Sequence, residues 1–455
     1  MSTDHTDPSW TAPRTGNDWR DDDLLLTVAW LKSLVPHNEM QRRLDAAKER
    51  LNAARQLQRN GERPPLFDAS DTIAWYILQA ETFATDRTYF APDGLMRSAP
   101  YLTRIGKELP IMLSVKGAEE RAQRMMTAEK SQPDGALLEL LVGLAWKRNG
   151  WNNVEFVPEK KGIGKTPDLL VSKPRTTWAV ECKRMVPSTY AKREREFGMK
   201  LAEPVHALFL DRYLSYVVEV VYNVELSSIP EDYLVTTVNR VLGQKRPLAW
   251  DDEISKGFIR PVNWRLTHSV MAKDFVYYGG SRMIELLAGH YQHDLDYSMA
   301  AKWRPREDRP EFADAVYQAS VVGWGCVAAE ATIKTAGHFK RVLANADQQL
   351  PPDLPGVIHV GIESYSGNFV DFFRHMQNRW ETCAFQPEAS RLRWVYANYF
   401  VPENTTRRDE SWAIIETMVP YRVGKHGTKS PLPGHMLVSP EKEADPWSHW
   451  SRPRD

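Results

Sequence analysis

A chain of 455 residues, 42% of them hydrophobic, is too long for one average domain and carries material for two or three. Its 59 Lys and Arg balance 59 Asp and Glu, which excludes a polycation that coats nucleic acid over its whole surface and leaves room only for a local basic groove. Three cysteines, Cys182, Cys326 and Cys383, with no CxxC spacing, exclude a disulfide framework and a structural zinc and point to a reducing compartment.

Residues 1–20 are polar, contain Pro and Gly, and are expected to form a flexible tail without a signal-peptide pattern. From Asp21 the pattern turns helical. Leu24, Leu25, Val28, Leu31 and Leu34 make one apolar face, and Asp21, Asp22 and Asp23 suit the positive end of a helix. A second helix is expected over Asn38–Arg59, a third after Asp68 or Ser70 as N-cap, and two short ones within Tyr101–Lys130. Residues 21–130 therefore read as an all-helical module. No run has the length and apolarity of a membrane span, so a cytoplasmic protein with no membrane contact is expected.

The stretch from Leu137 to Met185 organises the rest. Leu137, Leu140, Leu141, Leu144 and Ala145 form a helical stripe, and Glu139 lies beside it. A strand ends near Val157, and a polar loop leads to Pro167-Asp168. A second apolar run covers Leu169–Val171 and turns through Lys173-Pro174, and a third, Thr177–Lys183, presents Glu181 and Lys183 on one face with Val180 and Cys182 on the other.

The residue types fit one chemistry. Two carboxylates about 4 Å apart repel by roughly 4 kcal/mol at an effective dielectric of about 20, so a cation is needed to hold them together. Oxygen-only ligands suit Mg²⁺ or Mn²⁺, and a nearby lysine can stabilise charge developing on a phosphate. Nothing in the stretch supplies a covalent nucleophile, which leaves direct attack by water.

Pro167-Asp168 followed by Glu181-Cys182-Lys183, with Glu139 on the preceding helix, resembles the PD-(D/E)XK nuclease superfamily. The resemblance covers roughly residues 134–212 and in part 332–363. It implies an α/β, restriction-endonuclease-like mixed sheet flanked by helices, placed after the helical module, and a Mg²⁺-dependent endodeoxyribonuclease in which Mn²⁺ substitutes. Asp168 and Glu181 are then the metal ligands, Glu139 assists the metal or its water, and Lys183 orients the nucleophile or stabilises the phosphate. DNA is the implied partner and a homodimer the implied assembly. Restriction or antiphage defence is an analogy from fold alone.

The nuclease-like domain is expected over residues 131–422, with an insertion near 244–315 and a C-terminal loop or tail over 423–455. Ser215–Leu226, rich in valine, reads as a strand continuing the same sheet. The stretch Gly257–Tyr278 reads as two or three short strands, and Gln318–Val327 as another. A helix over Thr332–Gln349 and a strand over Val357–Ile362 complete the resembled core, and Lys334, Lys340 and Gln348 are weighed there as surface residues. The helix Asn368–Trp380 and two late strands, Arg391–Val401 and Ala413–Val419, follow. Candidate nucleic-acid contacts are Lys160, Lys161 and Lys165 before Asp168, Arg184 directly after the catalytic strand, and Arg193 on a charged helix.

Other signals are weaker. Gly162–Thr166 mimics a phosphate loop, but Glu159 stands where the first glycine belongs and Pro167 follows in place of a helix. His290 and His293 read as surface histidines, and His206 as a structural one. Two rival readings remain. One is a catalytically silent scaffold that binds nucleic acid or a protein partner. The other keeps the metal site within a larger assembly docked through the helical module.

Overall fold

The computed structural model describes residues 21–59, 64–85, 88–91, 98–158, 166–185, 189–245, 247–292, 295–307, 309–331, 339–364, 367–404, 412–424, 427–432, 436–438 and 449–451. It is a mixed α/β protein with two mixed six-stranded sheets and an N-terminal helical region. No helix among the described residues is long and apolar enough to cross a membrane.

The helical region contains α1 (Asp21–Ser33), α2 (His37–Arg59), α3 (Thr72–Ala84), α4 (Ala99–Lys107), α5 (Leu109–Leu113) and α6 (Ala118–Met126). Asp71 caps α3 by accepting from the Ala74 amide, and Asp68 caps the short turn before it. The helix is expected to start after Asp68 or Ser70 as N-cap; its cap is instead Asp71, and Asp68 caps the short turn ahead of it. Arg43 binds these helices together, with two guanidinium bonds to Asp71 and one of 2.7 Å to the Met126 carbonyl.

The chain then enters the first sheet through α7 (Asp134–Arg148), β1 (Asn153–Phe156), β2 (Leu169–Lys173) and β3 (Thr176–Met185). It leaves for a second sheet built from α8 (Thr189–Asp211), β4 (Tyr216–Tyr222), α9 (Tyr233–Leu242), β5 (Ala249–Asp251), β6 (Ser255–Pro261), α10 (Trp264–Met271), β7 (Val276–Tyr277), α11 (Ser281–Ala288), β8 (Asp296–Pro305) and β9 (Phe312–Cys326). It returns to the first sheet with α12 (Phe339–Asp347), β10 (Pro355–Glu363), α13 (Gly367–Ala384), β11 (Arg391–Asn404) and β12 (Trp412–Arg422).

The first sheet runs β1-β2-β3-β10-β11-β12. Its first three strands form an antiparallel meander, β10 lies parallel to both β3 and β11, and β12 closes antiparallel. One face packs under α7, and Leu137, Leu141, Val154, Leu169 and Val180 share a core with Leu24, Ile73 and Leu102 of the helical region. The helices thus have no separate core; they are a layer on this sheet. The other face, with Ala179, Ile358 and Val360, packs under Phe339 and Leu343 of α12.

Two expectations are corrected here. Residues 216–222 do not extend the first sheet, because β4 pairs with β6 and β9 in the second. The reason lies in its valines: Val218 and Val220 bury against α8 and α9, and Val217 buries against α10 and α11 on the opposite face. A strand apolar on both faces needs helices on both sides. The strands of this second sheet span 216–326, a range that includes the insertion expected near 244–315. Part of Gly257–Tyr278, expected as strands, is the helix α10, started by Asn263, whose side chain accepts from the Leu266 amide.

Candidate active site

The β2–β3 hairpin places the first two residues. Leu169 pairs with Val180, so Asp168, one residue earlier, comes level with Glu181, one residue later. The Cys182 amide donates to Asp168 Oδ2 at 2.7 Å and fixes that carboxylate against the neighbouring strand. Glu181 is fully buried, and Lys183 donates to its Oε1. Alternation along β3 sends Val180 and Cys182 into the core under α7, as their apolar character requires. Glu181 and Lys183 emerge on the face covered by α12.

The electrostatics are strained toward negative charge. Burial, then the charges of Glu139 and Glu181, hold the Asp168 carboxyl well above its usual range. Burial likewise pushes Glu181 up to about 7, against the pull of Lys183. Burial opposes the Lys183 ammonium, but the Glu181 carboxylate beside it outweighs that and raises it. Burial and the same carboxylates push the Cys182 thiol far up, which keeps it protonated and inert. Glu181 Oε2 is buried with no hydrogen-bond partner among the described residues. An orphaned carboxylate oxygen beside a second carboxylate is a fit for a hard cation, and Mg²⁺ commonly takes one or two protein carboxylates and fills its remaining positions with water and substrate oxygens.

Glu139 has a partner that the sequence did not announce. It lies on α7, and both its oxygens receive Arg121 of α6, Oε1 at 3.0 Å. Arg121 also binds Glu129 at 2.8 Å. The negative charge of Glu139 reaches Asp168 and Glu181, yet its hydrogen-bonding capacity is taken by a guanidinium. Among the described residues no group of three His, Cys, Asp or Glu side chains is disposed to hold a metal ion. The sequence-predicted set thus divides into Asp168, Glu181 and Lys183, which come together, and Glu139, which Arg121 holds.

Of the predicted nucleic-acid contacts, Lys160, Lys161 and Lys165 lie outside the described residues, as does most of the Gly162–Thr166 stretch. Arg184 binds Asp134 at 2.8 Å and also Glu363, clasping the start of α7 to the end of β10. This pairing engages the guanidinium that the sequence reading assigned to a phosphate. Arg193 is exposed on α8, whose buried face, with Leu201, Val205 and Phe209, belongs to the second sheet.

His206 is buried between Ser320 (2.7 Å) and Ser298 (3.1 Å), and burial lowers it to about 4, so it is a neutral structural histidine. His290 pairs with Glu219 at 2.9 Å, and His293 lies outside the described residues. Lys340 and Gln348 are exposed, as the sequence suggests, and Lys334 is outside the described residues.

The residue that sequence reading missed is Gln349. With its amide turned to match its neighbours, Nε2 donates to Glu181 Oε1 at 2.7 Å and Oε1 accepts from Lys183 at 3.0 Å. It lies just beyond the end of α12, one residue after the exposed Gln348. The chain turns between the two, so Gln348 faces solvent while Gln349 faces the sheet. The available signal was the helix stop at Pro351-Pro352, which places the last turn over the strand ends.

Compared with known protein families, curated proteins and solved structures, the chain matches none.

Proposed function

We propose that this protein is a metal-dependent nuclease of restriction-endonuclease type that hydrolyses phosphodiester bonds in DNA, with Mg²⁺ as its cofactor and Mn²⁺ able to substitute. The observation that carries the reading is the buried, partnerless Oε2 of Glu181, level with Asp168 and beside Lys183. The order helix, three-strand meander, helix, then a strand parallel to the third supports it, because the resembled core has that order.

Asp168 and Glu181 would hold the cation, which when bound supplies Lewis acidity and neutralises the two carboxylates. The Cys182 amide keeps Asp168 from rotating away. Gln349 spans Glu181 and Lys183 and fixes their relative orientation. Lys183, its ammonium stabilised by Glu181, presents a positive charge where charge develops on the scissile phosphate. Glu139, gripped by Arg121, adds negative potential at Asp168 that favours a bound cation.

The test is nicking and linearisation of supercoiled plasmid with Mg²⁺, Mn²⁺ or EDTA, for the wild type and Lys183→Ala. Metal-dependent cleavage that disappears in the variant is expected. Cleavage that persists in Lys183→Ala or in EDTA overturns the assignment, and an inert wild type on duplex, single-stranded and RNA substrates turns it toward a binding scaffold.

A further inference from the structure

We propose that the cleft between α2 and the segment entering α3 is a second ligand site, one that takes a nucleoside phosphate. The cleft encloses about 680 Å³, inside the span of about 300–1,000 Å³ common to small-molecule sites. Helical spacing builds one wall. Arg42, Ala46 and Arg50 follow one another at four-residue intervals, so two guanidinium groups flank a position where only a methyl group stands. Arg42 and Arg50 are exposed, and Lys130 faces the same space.

The opposite wall is aromatic. Phe67 stacks on Trp75 with ring centroids 5.4 Å apart and planes 9° from parallel. Trp75 is buried, whereas Phe67 is only half-buried. Trp75 Nε1 has no hydrogen-bond partner among the described residues. Ser70 and Asp68 add a hydroxyl and a carboxylate to the rim.

The local charge fixes the class of ligand. Asp71 is held by two bonds from Arg43, of 2.7 and 2.6 Å, and Asp68 caps the Ser70 amide at 2.8 Å. Lys130 also approaches Asp71 at 3.9 Å, so Arg42, Arg43, Arg50 and Lys130 stand against two carboxylates, Asp68 and Asp71, and the lining keeps a net positive charge. A bare anion would leave the aromatic wall uncovered, and an apolar ligand would leave the surplus positive charge unanswered. A flat base against Phe67 with phosphates on Arg42 and Arg50 meets both demands, since guanidinium groups bind phosphate with two parallel bonds and rings stack on rings. This inference rests on residues far from Asp168 and Glu181 in sequence and uses nothing of the nuclease reading.

A free nucleotide and the terminal unit of a single strand share this chemistry. The full-length protein is titrated calorimetrically in EDTA, where metal-dependent cleavage cannot intervene, with ATP, with pyrophosphate and with an oligothymidylate. Arg42→Ala/Arg50→Ala is expected to weaken ATP and pyrophosphate by at least about tenfold, which corresponds to about 1.4 kcal/mol. Phe67→Leu should weaken ATP and leave pyrophosphate unchanged. If the oligothymidylate alone shows the Arg42/Arg50 dependence, the ligand is a strand end. No binding of any of the three, or binding indifferent to Arg42 and Arg50, overturns the site. Both arginines are exposed, and a thermal melt of the double variant confirms that its fold is retained.

Discussion

Glu181 in the first sheet and Glu219 in the second are both buried on central strands, and they are treated in opposite ways. Glu219 on β4 receives Arg260 at 2.8 Å and His290 at 2.9 Å, and both its oxygens are engaged. Glu181 on β3 receives Lys183 and Gln349 on one oxygen and has no partner on the other, while Asp168 and Glu139 add negative charge beside it. A buried carboxylate that serves the fold is compensated within the chain. In the proposed reading, the carboxylate left short of positive charge is the one that takes a cation from outside, and the compensated one serves the fold.

The comparison breaks most sharply at the carboxylates themselves. Asp168→Asn, Glu181→Gln and Lys183→Ala are each expected to reduce plasmid cleavage by about 10³-fold, whereas Glu219→Gln should leave the specific activity of folded protein near wild type. Equal losses at Glu181 and Glu219 would erase the distinction. Arg121→Ala comes next. It strips the cation from Glu139 and leaves three carboxylates against Lys183, so denaturant unfolding should show a loss of about 3 kcal/mol, partly restored by millimolar Mg²⁺. Gln349→Ala should slow cleavage by about tenfold with unchanged stability, since it removes an orienting hydrogen bond rather than a charge.

The pH dependence sharpens the contrast further. The raised carboxyl of Glu181 means that the folded state holds its proton more tightly than the unfolded chain does. Its destabilising contribution is therefore absent below the ordinary carboxylate range and grows as pH rises toward about 7. Metal-free protein should melt at lower temperature at pH 8 than at pH 5.5. Mg²⁺ should close the gap, and Glu181→Gln should abolish its pH-dependent part. The smallest effect is expected from Arg193→Ala on α8, a few-fold weakening of DNA binding confined to low salt, read from a salt titration.

Much of the first sheet was legible because its signals are local. The stripe on α7, the alternation on β3 and the turn at Lys173-Pro174 each lie within a few residues. The pairing of Asp168 with Glu181 follows from the hairpin alone. What was hidden depended on distant chain. The grip of Arg121 on Glu139 joins two helices. The clasp of Arg184 on Asp134 and Glu363 joins three elements. The second sheet was misread because the valines of β4 announce burial without saying under which helices. Gln349 was missed by one residue because the turn after α12 decides which of Gln348 and Gln349 faces the sheet, and a helix end is not fixed by sequence to that accuracy.

The parallel pairing of β3 with β10 sets Ala179 opposite Gly356, with the entire second sheet between them in the chain. During synthesis the hairpin that bears Asp168, Glu181 and Lys183 is complete long before its neighbour emerges. Until then β3 has one open edge, a hazard for pairing with other chains. The helix that delivers Gln349 arrives at nearly the same moment as β10. Assembly order thus works as a timer: the polypeptide must finish its large detour before the carboxylate centre is roofed and its lysine is held in place.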